Sequence, residues 1–348
     1  MTGPSFATPL PQSSHSEVLE WRFPGKLKQY VLTGTSRAAW YTSFIIPQLN
    51  LLLDAGLCVN KMRPKHIFLT HGHSDHTLLT PAFITSTDPP DIYCPVEMKK
   101  VLDDYLLAKI MLGAGGLVTT DDAELPDPEL VEDVDAPEES TVAPPKRNWL
   151  HKHNSYGVRA GDSIPLRRTV DFTAEAFACD HTIPCVGYVF KINSQKLKDE
   201  YKGKKGVELK ALRDSGIEIT APHAAPVFAF LGDTTAATLA AEPQWLKDGI
   251  PVVITECSFL YEEHRQQAEK TKHTIWADLE KVVRKWPKTT FVLMHFSLRY
   301  SDDDIRRFFA EMQDPPSNIV IWVDGEPEAG NLKPEASHSL AEVKLPTG

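Results

Sequence analysis

The sequence predicts a layered protein of mixed α and β structure, of the α/β or α+β class, on the strength of two features. Short β-rich runs alternate with amphipathic segments along the chain, the pattern of strands and helices that pack in layers. In addition, six apolar runs each pass straight into a His, Asp or Glu: Leu51 to Leu53 into Asp54, Ile67 to Leu69 into His71, Phe177 and Ala178 into Asp180 and His181, Val227 to Leu231 into Asp233, Val252 to Ile254 into Glu256, and Phe291 to Met294 into His295. Apolar runs of this length are buried strands. When six of them end in ionisable residues, the simplest geometry gathers those residues at one edge of a common core.

Taken in chain order, residues 1–17 are polar and rich in Pro and Ser, and read as a disordered N-terminal tail before a domain spanning 18–330. A helix is expected to open at Pro95, a residue suited to the first helical turn. Met98, Val101, Leu102, Tyr105 and Leu106 lie at helical spacing after it, and Gly113 can close it. From Thr119 to Pro145 the composition shifts to Asp, Glu, Pro and Ala, too poor in large apolar groups to offset the entropy of ordering, so 119–145 reads as a flexible acidic insertion. A later helix carries Ile275, Leu279, Val282, Val283 and Trp286 on its buried stripe. Another starts with Ser301 and Asp304 as a capping-box-like pair and buries Ile305, Phe308, Phe309 and Met312. Residues 331–348 read as a C-terminal tail.

At 348 residues and 42% hydrophobic content, the chain can bury one large core or two small ones. It contains no stretch of about 18 apolar residues, and no apolar segment suited to a signal peptide near its start, so a cytoplasmic or nuclear location is expected. The five cysteines are widely spread without a Cys-x-x-Cys pair. Reduced, mostly buried thiols are therefore expected rather than a disulfide framework or a zinc ribbon. The net charge of −10 argues against a polyanion partner only until its location is considered. Asp121 to Glu139 holds ten carboxylates and no Lys or Arg, which leaves the rest of the chain near neutral and free to carry a local basic patch.

The densest chemical signal is Thr70-His71-Gly72-His73-Ser74-Asp75-His76. Residues two apart in an extended segment face the same way, so His71 and His73 can chelate one ion, while Asp75 and His76 fall further on and point at a second. Zn²⁺ takes nitrogen and oxygen ligands and keeps a position open for water at a catalytic site. Two ions need more donors than this cluster offers. His181 and His295 supply one nitrogen each, and Asp233 is suited to bridge both ions, with a shared hydroxide as nucleophile. Mn²⁺ or Fe could occupy such a donor set. His15, His66, His151, His153, His223, His264 and His338 read as packing or surface residues.

In order and spacing, these residues resemble the signature of the metallo-β-lactamase superfamily: an Asp after an early strand (Leu53-Asp54-Ala55-Gly56), the His-x-His-x-Asp-His loop, a later lone His, an Asp in Gly232-Asp233-Thr234, and a final His. The resemblance covers roughly Lys26 to Asp324. It implies an α+β fold of the four-layer αβ/βα sandwich type, with the metals at one edge between two central sheets. It also implies that Asp54 braces the His loop and is not itself a ligand.

Three further segments are similar to ribonuclease Z, the endonuclease that trims the 3′ trailer of precursor tRNA. They are His181-Thr182-Ile183-Pro184-Cys185-Val186-Gly187-Tyr188, Lys272-His273-Thr274, and His295-Phe296-Ser297-Leu298-Arg299-Tyr300. Thr255-Glu256-Cys257-Ser258 sits where that family has a His-Glu-Ala-Thr element. The resemblance implies a zinc-dependent phosphodiesterase or endoribonuclease in which Asp75, Glu256 and His273 are catalytic. His273, oriented by Glu256, would protonate the leaving oxygen, and Ser297 and Arg299 would hold a phosphate. RNA is the implied partner, precursor tRNA among its forms, and a homodimer is compatible with the family.

Two departures stand beside this. The interval between His181 and Asp233 is shorter than the Gly- and Pro-rich arm of that family, and carries Lys196, Lys198, Lys202, Lys204, Lys205 and Lys210. It reads either as a reduced arm contacting phosphates or as a solvated helix and loop. The stretch Leu32 to Asn50 lacks the family's Pro/Lys/Arg-rich substrate loop. Alternatives to the endoribonuclease are a hydrolase of a small-molecule phosphodiester, thioester or lactone, and a non-catalytic scaffold of the same fold.

Overall fold

A computed structural model describes residues 6–13, 16–59, 63–84, 88–113, 153–167, 169 and 171–325. The acidic stretch 119–145, the C-terminal segment 331–348, and His15, His151 and His338 lie outside these residues. The chain builds two sheets in succession. The first contains, in spatial order, β1 (Leu10–Pro11), β2 (Leu19–Arg22), β3 (Val31–Arg37), β4 (Tyr41–Ile46), β5 (Leu51–Leu53), β6 (His66–Phe68), β7 (Asp91–Pro95) and β8 (Asn154–Val158). The second contains β9 (Ser163–Pro165), β10 (Phe172–Ala178), β11 (Val186–Leu197), β12 (Thr220–Phe230), β13 (Val252–Glu256), β14 (Thr290–Met294) and β15 (Ile319–Ile321).

Each sheet begins as an antiparallel meander and ends as a parallel run: β1 to β5 then β5 to β8, and β9 to β12 then β12 to β15. Parallel neighbours need crossovers, which helices supply. They are α1 (Ser74–Thr77) and α2 (Lys99–Gly113) on the first sheet. On the second they are α4 (Ala237–Ala240), α5 (Gln244–Lys247), α6 (Arg265–Thr271), α7 (Trp276–Lys285) and α8 (Asp302–Ala310), while α3 (Gly206–Asp214) lies between β11 and β12.

Side-chain alternation along the strands sorts the core into layers. Leu51, Leu53, Phe44 and Phe68 of the first sheet meet Tyr188, Phe190, Phe228, Phe230 and Ile254 of the second in one cluster. The residues between them face outward: Leu52, Ile67 and Ile92 onto Leu102 and Leu106 of α2, and Val253, Phe291 and Leu293 onto Trp276, Leu279, Ile305 and Phe309. Strands buried on both faces read as continuous apolar runs, because each side has a layer to cover. The result is the expected four-layer αβ/βα sandwich, and full burial of each such Leu, Ile or Phe contributes about 1.5–3 kcal/mol.

The start of α2 differs from expectation. Pro95 ends β7 opposite Val158, the Met98 N–H turns back to the Pro95 carbonyl at 3.0 Å, and the helix begins at Lys99. Pro95 is thus used for its extended preference beside a parallel neighbour, and Val101 stays 68% exposed while Leu102 and Leu106 carry the buried face.

The segment read as an N-terminal tail also contributes structure. Ala7 bridges Val320, donating to the Ile319 carbonyl at 3.1 Å and accepting from Ile321 N–H at 3.0 Å, while Leu10 and Pro11 pair with β2. The segment covers edges of both sheets, whose backbone groups would otherwise lack partners, and Phe6 packs against Phe309. Ser301 and Asp304 cap α8 reciprocally as expected. Among the described residues no helix is long and apolar enough to cross a membrane.

Candidate metal centre

The site residues leave the strands at their carboxyl ends. His71 and His73 follow β6, Asp233 follows β12, and His295 follows β14. Asp75 and His76 sit on α1, and His181 lies in the turn between β10 and β11. Their donor atoms form two groups, each within 4.8 Å: His71, His73, His181 and Asp233, and Asp75, His76, Asp233 and His295. In the first, His71 Nε2 and His181 Nε2 lie 3.0 and 3.2 Å from His73 Nδ1, and Asp233 Oδ2 lies 3.7 Å from His71 Nε2. In the second, Asp233 Oδ1 lies 3.3 Å from His76 Nε2 and 3.4 Å from His295 Nε2, and Asp75 Oδ2 lies 3.5 and 3.3 Å from the same nitrogens. The structure therefore brings together all seven residues singled out as ligands, with one oxygen of Asp233 turned to each group.

This donor set fits divalent cations. Asp233 Oδ1 is buried and accepts no hydrogen bond, an arrangement that is costly unless a cation satisfies it. Burial and the neighbouring imidazoles hold His71 well below its ordinary pKa, and burial likewise lowers His73 and His181. Neutral imidazoles present lone pairs, which a metal needs and a proton would block. At Asp75 burial is outweighed by the adjacent His295 and His76 imidazoles, which keep it a carboxylate well below its usual range.

The supports around these donors are specific. Asp54 is fully buried and accepts Thr70 N–H at 2.8 Å, Thr70 Oγ1–H at 2.9 Å and His76 Nδ1–H at 2.7 Å. Its bond to Nδ1 leaves His76 Nε2 to face the second group, the usual device for orienting a ligating imidazole. His181 Nδ1 donates to the Lys272 carbonyl at 3.2 Å, leaving Nε2 to face the first group. Gly232 permits the two halves to close: its φ is +63°, and a Cβ there would stand 2.5 Å from Thr70 Oγ1. Gly56 serves the same end, since a Cβ would meet the Asp75 carbonyl oxygen at 1.9 Å.

Beside the groups lies a His–Glu pair. Glu256, fully buried, accepts from His273 Nδ1 at 2.8 Å and Thr234 N–H at 2.7 Å on one oxygen, and from Ser258 Oγ at 2.6 Å and Thr274 N–H at 3.0 Å on the other. With both oxygens engaged, it orients His273 and has little left for a metal. Burial opposes charge on His273, but the Glu256 carboxylate prevails and pushes the imidazole up to about 9. Ser258 Oγ also lies 2.9 Å from the His295 carbonyl oxygen, so one side chain lies between the pair and the second group.

Arg299 and Ser297 lie together, Nε to Oγ at 3.1 Å, with the guanidinium 5.2 Å over Phe259, whose ring adjoins His273. Thr70, Thr234, Ser258 and the Lys272 carbonyl were not singled out from the sequence. The only signal for the three hydroxyl residues is that each stands within two positions of His71, Asp233 or Glu256. His153 and His264 bond Asp103 and Tyr300 as packing residues.

A family model for the metallo-beta-lactamase superfamily matches residues 51–161. The chain is 28% identical over 306 residues to the chloroplastic tRNase Z TRZ2 of Arabidopsis thaliana, covering 85% of this chain and 75% of that protein. It is 26% identical over 303 residues to tRNase Z TRZ1 of the same plant, covering 85% and 95%. Among solved structures, the short form of human tRNase Z aligns over 84% of this chain and 95% of that one at 15% identity, with a TM-score of 0.45. By these comparisons the chain is similar to the metallo-beta-lactamase superfamily over residues 51–161 and to proteins named tRNase Z over most of its length.

Proposed function

We propose that this chain is a metal-dependent endoribonuclease of the ribonuclease Z type, hydrolysing a phosphodiester at the 3′ trailer of precursor tRNA. The observation that supports it most is the placement of the Glu256–His273 pair against two donor groups that share Asp233. His71, His73, His181 and Asp233 would hold one ion and Asp75, His76, Asp233 and His295 the other, with Zn²⁺ the metal expected of such nitrogen and oxygen donors. When bound, a pair of ions supplies a water activated near neutral pH and positive charge for the phosphate oxygens.

The chain's own residues supply the rest. Glu256 orients His273 and favours its protonated form, so that Nε2–H can hand a proton to the departing ribose 3′-oxygen. Arg299, braced by Ser297 and by Gln267 at 2.8 Å, presents a fork-shaped cation suited to a neighbouring phosphate. Away from the site, β11 and β12 run on as a ribbon ending in α3, a helix with no buried residue. Lys196, Lys204, Lys205 and Lys210 are exposed there and suit backbone phosphates of an RNA. The relatives named tRNase Z point the same way.

The test is cleavage of a 3′-extended tRNA by purified protein supplied with Zn²⁺ or Mn²⁺. The expected products are a tRNA with a free 3′-hydroxyl and a trailer with a 5′-phosphate. Hydrolysis of bis-(p-nitrophenyl) phosphate with the tRNA left intact would replace this reading with a small-molecule phosphodiesterase. Turnover of a glutathione thioester in preference to either would replace it with a thioesterase.

A further inference from the structure

Two thiols flank the turn that carries His181. Cys179 follows β10 and Cys185 precedes β11, continuing the register in which Phe177 faces Gly187 and Ala178 faces Val186. The Cys179 N–H donates to the Cys185 carbonyl at 3.1 Å, so the two are opposite members of a cross-strand pair. Opposite residues share a face and have Cα atoms about 4.5–5.5 Å apart, within the span a disulfide bridges. The Cys179 sulfur lies over this face, 3.1 Å from where a Cβ of Gly187 would stand. Both thiols line a cavity of about 630 Å³ together with His181, and Cys179 is the more exposed of the pair.

Each thiol is also tied to the strand end that carries Asp233. Cys179 Sγ reaches the Leu231 carbonyl at 3.4 Å and Cys185 Sγ the Asp233 carbonyl at 3.3 Å. We propose that Cys179 and Cys185 are an oxidation site, a dithiol that hydrogen peroxide converts to a disulfide across the base of the His181 turn, and that the disulfide form is the inactive one. The Cys179 sulfur breaks the peroxide O–O bond and becomes a sulfenic acid, releasing one water. The Cys185 sulfur then displaces that hydroxyl as a second water, so the thiols give up two electrons and two protons in all. Oxidation removes both S–H donors from the Leu231 and Asp233 carbonyls and closes residues 180–184 into a ring, which moves His181 relative to Asp233.

The consequence for activity rests on the proposed hydrolase reading; the disulfide itself does not. The full metal-loaded chain is treated with hydrogen peroxide, alkylated and digested without reduction. A Cys179–Cys185 linked peptide is expected, with Cys94 and Cys257 still alkylatable. Phosphodiester turnover is expected to fall about 10- to 100-fold, as for other loss of support to a ligand, and to return with dithiothreitol. Cys179→Ser and Cys185→Ser are expected to keep their turnover and to resist peroxide. Absence of the link, linkage to Cys58 instead, or sulfinic acid at Cys179 without a link would overturn the proposal, as would a linked protein with full turnover. If the reduced protein cleaves no phosphodiester, the hydrolase reading fails while the peptide map still decides the disulfide.

Discussion

Asp233 carries a double demand: its two oxygens face different donor groups, and neither group keeps four members without it. Asp233→Asn preserves the shape but removes the charge, so both metal content and hydrolysis should drop to background. His273 should behave differently. His273→Ala is expected to retain metal and lose on the order of 10²–10⁴-fold in turnover, the range for a general acid, whereas metal loss in that variant would assign His273 to the ligands. Glu256→Gln keeps the metal and costs about 10- to 100-fold by loosening His273, read out as turnover at fixed metal occupancy. At this scale the sequence was most legible where donors are contiguous, as at His71 to His76, and where a lone His or Asp ends an apolar run. It was least legible for Thr70, Thr234, Ser258 and the Lys272 carbonyl. A hydroxyl or a backbone carbonyl has no spacing rule of its own, and its role appears only when a partner distant in sequence arrives.

The elements bring those residues together by ending in the same place. Six strands deliver their carboxyl ends to one edge: five belong to the parallel runs β5 to β8 and β12 to β15, which face one another across the core, and β10 runs the same way as β12 because both are antiparallel to β11. Gly232 lets the two edges touch, and Gly232→Ala places a Cβ against Thr70 at a left-handed backbone position. That variant should lose about 2 kcal/mol or more of stability, seen as a lower urea midpoint, and an unchanged midpoint would show that the close approach is not required. The β11–β12 ribbon gives a prediction of another kind. Replacing Lys204, Lys205 and Lys210 with Ala should weaken RNA binding and flatten its salt dependence by about one in log–log slope for each phosphate no longer neutralised, while leaving hydrolysis of a small phosphodiester alone. The apolar runs were legible as strands, and α7 and α8 as helices, because period and caps are local properties. Pro95 misled because the extended end of a strand and a first helical turn both suit proline, and residues 6–11 misled because their order comes from edges supplied elsewhere in the chain.

For the molecule as a whole, a meander followed by a parallel run, used twice, gives two sheets that share one core and leave helices outside. That class was legible from alternation of strand and helix signals, but the order of strands was not, since pairing partners far apart leave no mark on either segment. The resemblance to known enzymes implied the four layers ahead of the structure, while the order of strands came from the structure itself. A whole-molecule consequence follows from linkage: ions that bind the folded state and not the unfolded chain stabilise it by about 2.7 kcal/mol at a hundredfold excess over Kd. Chelation should therefore lower the Tm as well as abolish turnover, and readdition of Zn²⁺ should restore both. The most direct test is elemental analysis of the purified chain beside Asp233→Asn. The account predicts two equivalents of divalent metal per wild-type chain and well under one in the variant. A wild-type chain with less than one equivalent, or a variant that keeps two, contradicts it.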